Sequence, residues 1–104
     1  MKPGLYIIVV PSGYNPFVLI GWLRRVEDPA EPYGDEYEML GGRVIRRFGP
    51  NVELGVLARK GPQAGTELLR ATKRESYHRL SWGRSIDADI VAWAKDCPRP
   101  EGWE

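Results

Sequence analysis

The run Phe17-Val-Leu-Ile-Gly-Trp-Leu23 is apolar on both of its alternating faces. A strand of that kind needs cover above and below, so it predicts a central strand that emerges into solvent at Arg24 and Arg25. Gly21 inside the run points to a bulge or to a close approach of two backbones. Leu5-Tyr-Ile-Ile-Val-Val10 is β-branched and aromatic and predicts a strand before it, with Pro11-Ser-Gly-Tyr-Asn-Pro16 as the connecting loop.

Two further β-like runs, Glu36-Tyr-Glu-Met-Leu40 and Arg43-Val-Ile-Arg-Arg-Phe48, flank Gly41-Gly42. Paired glycines between such runs predict a tight hairpin, because both turn positions can need positive φ. In that register Tyr37, Met39, Val44 and Phe48 share one face, and Glu38 lies on the other with Arg43 and Ile45. A single strand running kinked through the glycines is the alternative.

Asn51 is placed to cap a helix over 52–60. Glu53 complements its dipole, Arg59 and Lys60 suit its last turn, and Gly61 suits its left-handed end. Gly55 costs that helix about 1 kcal/mol relative to alanine, so it must lean on packing. Asp87 is placed to cap a second helix over 88–95, with Ile86 and Val91 at staple spacing and Ile90, Trp93, Ala94 and Cys97 on its inner face. Between the helices, 66–80 reads as strands near 67–71 and 77–82 with a turn near Lys73, in competition with one helix over 66–79.

These elements make a single α+β domain over 1–97 and a loose tail over 98–104. Its expected form is a small twisted antiparallel sheet or partly open β-barrel with two short helices. The expected core is Tyr6, Ile8, Val10, Val18, Ile20, Trp22, Met39, Val44, Leu54, Leu57, Ile90 and Trp93. A chain of 104 residues with 42% hydrophobic content fits one domain that folds without metal or disulfide support.

Charge and residue usage narrow the functional classes. Fifteen Lys+Arg stand against 14 Asp+Glu, so there is no global pull toward nucleic acid or anionic membrane. The six apolar residues from Leu5 to Val10 are too few for a signal peptide or a membrane span. A single cysteine, Cys97, cannot form an internal disulfide, which points to a reducing, cytoplasmic location. It reads as a packing residue on the last helix.

His78 is the sole histidine, flanked by Tyr77 and Arg79, and reads as an ordinary surface or strand residue rather than a catalytic base. No cofactor or phosphate-cradling motif is present in the sequence, and no second ligand stands at zinc spacing. The acidic stretch around Glu27, Asp28, Glu31, Asp35, Glu36 and Glu38 is interrupted by Pro29, Pro32 and Gly34. It reads as a solvated loop and lacks the ligand order of a calcium site.

Two constellations remain. Trp82 and Trp103 are more tryptophan than a small core needs, and Trp103 beside prolines in the tail suits a protein-contact anchor. Trp22, Arg24, Arg46, Arg70, Lys73, Tyr77 and Arg79 would form a basic, aromatic groove for nucleic acid if they met on one face of a small barrel. Solvated strand ends that discourage edge pairing are the plainer reading of the arginine pairs.

The strand Ile20-Gly-Trp-Leu23, the run Tyr37-Glu-Met-Leu-Gly-Gly-Arg-Val-Ile45 and the segment Leu54-Gly-Val-Leu-Ala-Arg-Lys-Gly61 together resemble a group of small proteins of tailed phages and prophages, over residues 17–61. The insertion over 28–35 departs from the pattern, and nothing after Thr66 matches. The resemblance implies a viral or prophage origin and a host-cytoplasmic location, without an activity. The expected function is a non-catalytic accessory protein that binds a protein partner or itself, with nucleic-acid binding as the alternative and no membrane, metal or cofactor.

Overall fold

The computed structural model describes residues 1–11, 16–27, 30 and 34–103. Strand β1 (Gly4–Val10) pairs antiparallel with β2 (Phe17–Arg25), and β2 with the 12-residue β3 (Glu36–Arg47). After helix α1 (Leu54–Lys60), β4 (Glu67–Leu68) and β5 (Arg74–His78) both pair with β3, and β6 (Arg84–Asp87) returns to pair with β1. The product is an open six-stranded antiparallel sheet in which β2 is central, as its two-faced apolarity requires.

Gly41-Gly42 does not turn the chain. The strand runs on through the glycines, and the pair forms a bulge opposite Gly21, between the partners Ile20↔Arg43 and Trp22↔Leu40. Gly41 takes φ +62, which suits glycine at such a site. Gly21 is the close approach: a Cβ there would sit 2.9 Å from Gly42 Cα and 2.6 Å from Met39 Cγ. The extra residue shifts the alternation by one. Tyr37 and Met39 therefore share a face with Val44, and Ile45 lies on the opposite one, as a hairpin would also have given. Phe48 departs from that pattern and packs on the face of Ile45.

Both faces are apolar and each carries its own core. The first gathers Leu5, Ile7, Val18, Ile20, Trp22 and Ile45 under Leu57, Ala58, Trp93 and Cys97. The second gathers Tyr6, Ile8, Leu19, Leu23, Tyr37 and Met39 with Trp82. Of the expected core, Val10, Val44 and Leu54 are half-buried and Ile90 is exposed.

Among the described residues there is one α-helix and a 3-10 turn over Arg79–Ser81, not two short helices. Asn51 does not cap α1. It takes a left-handed φ of 58 in the turn closed by Val52 N–H donating to Gly49 O, and the helix starts beyond it at Glu53, whose side chain makes no capping bond. Gly61 ends α1 with the expected positive φ, +80, and its N–H donates to Leu57 O, but its ψ of −173 is extended rather than left-handed helical. Residues 88–97 form a succession of turns. Asp87 belongs to β6, opposite Tyr6, and is lost as a cap. Asp89 takes the role, its Oδ2 accepting from Ala92 N–H at 2.8 Å. Val91 is 84% exposed, so no staple to Ile86 forms, while Trp93 and Cys97 still point inward.

The segment over 66–80 is strand rather than helix, but its strands, at Glu67–Leu68 and Arg74–His78, each pair with β3. Leu69 N–H donates to Val44 O, Thr72 N–H to Gly42 O, and Gly41 N–H to Lys73 O. These bonds carry the pairing with β3 from β4 to β5 across the bulge. From His78 the chain must then reach Arg84 at the other edge. A flat sheet would hold those residues about 30 Å apart, yet six steps of chain reach about 21 Å at most. The sheet therefore coils about the second face, and Trp82 fills the bend against Tyr37 at a ring separation of 5.2 Å.

Candidate functional site

Only part of the expected constellations comes together. Trp22 and Arg24 alternate on β2 and so lie on the first face. Trp22 Nε1–H donates to Cys97 O at 2.9 Å, which sets the direction of the chain beyond Cys97. Pro98 and its neighbours then lie back over the strand ends. Trp103 meets Trp22 edge to face at 6.0 Å, the Arg24 guanidinium sits 4.6 Å over the Trp103 ring, and Arg99 sits 5.3 Å over Trp22.

Glu38 completes this cluster from β3. The register sets it opposite Arg24, with Arg74 diagonally across on β5. Arg24 Nε–H donates to one carboxylate oxygen at 2.5 Å and Arg74 Nε–H to the other at 2.6 Å. Glu38 is thus a buried carboxylate within the stretch expected to be a solvated loop. Residues 28–29 and 31–33 of that stretch lie outside the described residues. Burial pushes the Glu38 carboxyl up, but the bonds from Arg74 and Arg24 outweigh it and the net displacement is downward. A depressed carboxyl adds stability that is complete above its unfolded value, near 4.5, and is lost as pH falls through the lower folded value. Urea unfolding at neutral and acidic pH is expected to show a shallower acid loss for Glu38→Gln than for the parent. Both arginines are largely exposed, so the difference at neutral pH is expected to stay within about 1 kcal/mol.

The other candidates lie elsewhere. Trp82 is buried in the second core, which removes it as an exposed anchor, and Arg79 stacks over it at 4.9 Å while donating to its carbonyl. Tyr77 leans on the same core and donates to Glu75; burial and then that bond push its hydroxyl well above the usual phenol range. Arg46 stands near Glu67 at the far end of β3. Arg70 and Lys73 are exposed on the line joining β4 to β5. The seven residues expected to form one groove are therefore spread over both faces and three strand ends.

His78 caps the 3-10 turn, its Nδ1 accepting from Leu80 N–H at 3.2 Å. Cys97 is buried, and burial pushes its thiol up to about 11, so it is almost wholly protonated at neutral pH. Among the described residues, no group of three or more His, Cys, Asp or Glu is placed to hold a metal ion, and no helix is long and apolar enough to cross a membrane.

Comparison with protein families, characterised proteins and solved structures gives no match.

The resemblance to phage and prophage proteins rests on the quoted residues alone. What the sequence did not disclose is the share of Glu38, Arg74 and Arg99. Their meeting depends on a strand register set across the 26–35 connection and on a tail that folds back, and neither leaves a local pattern. The cluster offers three guanidinium groups, one carboxylate and the rim of an indole. That is chemistry for gripping anionic and planar groups.

Proposed function

We propose that this chain is a non-catalytic interaction protein, of phage or prophage derivation, that grips an acidic segment of a protein partner through the face around Trp103. The observation that carries the reading is Arg24 stacked on the half-exposed Trp103, with Arg99 over Trp22 beside it and Arg74 sharing the Glu38 carboxylate with Arg24. Tryptophan and arginine are the residue types that dominate contact energies, and stacking holds both in place before a partner arrives.

The test is fluorescence anisotropy of a labelled peptide rich in Asp and Glu with one Tyr, titrated with the protein at low and moderate salt. Saturable binding that weakens with salt is expected, with Trp103→Ala and Arg24→Gln each weakening it about tenfold. No binding at tens of micromolar would overturn the reading. Stronger binding of single-stranded DNA, lost in Arg24→Gln, would favour the nucleic-acid alternative. Sedimentation of the free protein reads self-association separately.

A further inference from the structure

The second face is only partly covered by the crossover. Beyond Trp82, toward the Phe17 end of β2, lies a recess of about 220 Å³. Leu19, Val44, Val10 and Phe17 form its apolar lining. Phe17 is 52% exposed, which leaves a large apolar ring against water. Polar groups enter from one side only. Arg70 and Thr72 come from the chain between β4 and β5, and Glu75 with Tyr77 from β5 itself.

The charges on this rim are not equally satisfied. The Tyr77 hydroxyl already donates to Glu75. The Arg70 side chain has no hydrogen bond, ion pair or ring contact among the described residues, a condition it shares with Arg59 and Arg84, and of the three it is the one that lines this recess. The Thr72 hydroxyl donates to Gly42 O and keeps its oxygen lone pairs free to accept. A concave apolar recess with a few convergent polar groups is the usual form of a small-molecule site. An unpaired guanidinium at its mouth selects the sign of the ligand's charge and favours a planar acid, which it meets with two parallel hydrogen bonds.

We infer that this recess is a binding site for a small carboxylic acid with an apolar body, its hydrocarbon or ring lying on Leu19 and Val44 and its carboxylate on Arg70. The site is on the opposite face from Trp103 and is independent of the partner surface proposed above. Its volume suits a single ring or a short chain rather than a long lipid.

The experiment is an NMR titration of the full chain with phenylacetate, and in parallel with phenylacetamide, which has the same ring but no charge. Phenylacetate is expected to shift the methyl signals of Val10, Leu19 and Val44 saturably, and phenylacetamide to bind about tenfold more weakly. Arg70→Gln is expected to bring phenylacetate down to the level of the amide, while Arg84→Gln, on β6 and outside the recess, leaves it unchanged. Arg70 is exposed, so the variant keeps the fold, and an unchanged methyl spectrum without ligand verifies that. Equal binding of acid and amide, an Arg70→Gln variant that binds phenylacetate like the parent, or no saturable shift at any of the three methyl sites would each overturn the inference.

Discussion

Trp93→Ala is expected to lower folding stability by about 3–5 kcal/mol, a large fraction of the roughly 5–15 kcal/mol that holds a domain of this kind together. The Trp93 ring is fully buried in the first core, and it is the side chain that fastens residues 88–97 to the sheet. Its Nε1–H donates to Leu57 O at 2.9 Å, so it also ties that segment to α1. Leu57 O accepts from Gly61 N–H as well, so Trp93→Phe leaves the carbonyl satisfied and is expected to cost much less than the alanine. Urea unfolding followed by circular dichroism measures both variants. A loss below about 1 kcal/mol for the alanine would show that residues 88–97 are not packed as described.

The second large effect belongs to Gly21. An alanine Cβ would lie 2.6 Å from Met39 Cγ, 2.7 Å from Met39 Sδ and 2.9 Å from Gly42 Cα. The methionine is flexible and can yield. The Gly42 backbone is held in the bulge and cannot move without opening the pairing of β2 with β3, so Gly21→Ala is expected to cost about 1–3 kcal/mol and Gly21→Val more. Gly55 is the internal comparison. A Cβ there meets nothing within 4 Å, and the residue is helical, so Gly55→Ala is expected to stabilise by about 0.5–1 kcal/mol. Opposite signs for the same substitution, read from the two denaturation midpoints, check that β3 is one strand rather than a hairpin. Equal and small effects would contradict the bulge.

The readable parts of this fold were those in which one local pattern admits one solution. The apolarity of β2 on both faces could be met only by a central strand, and Gly21 pointed to a bulge or a close approach, both of which meet there. Gly41-Gly42 was less informative, because a hairpin can ask positive φ of both glycines and the bulge asks it of Gly41, so either explains a glycine there, and both give the same facing of Tyr37, Met39, Val44 and Ile45. Only long-range pairing separates them. The second helix failed for a competing bond: Asp87 looked like a cap, but its backbone serves the ladder with β1. Residues 67–78 have little apolar periodicity because their partner is the far side of β3, where much of the strand is exposed. At the candidate surface, Trp103 and Arg24 were visible as residue types, whereas their contact was not, since it depends on where the tail turns after Cys97.

The pairing of β1 with β6 joins Tyr6 to Asp87 and has a consequence for the order of assembly. The first three strands form from neighbours in sequence and can associate early, while β6 can join only after the residues between Arg47 and Arg84 have been made. Until then Leu5 to Val10, the most apolar strand run beside β2, waits with one row of its backbone groups open, the condition in which chains pair wrongly with one another. The strand that finally covers it has only four residues and carries Arg84 and Asp87 at its ends. It completes β1 while offering a short, charged edge to any further strand. The vulnerable interval in the life of this protein is therefore the one between the making of β3 and the making of β6, and substitutions in β6 should be felt in yield before they are felt in the stability of molecules that have already folded.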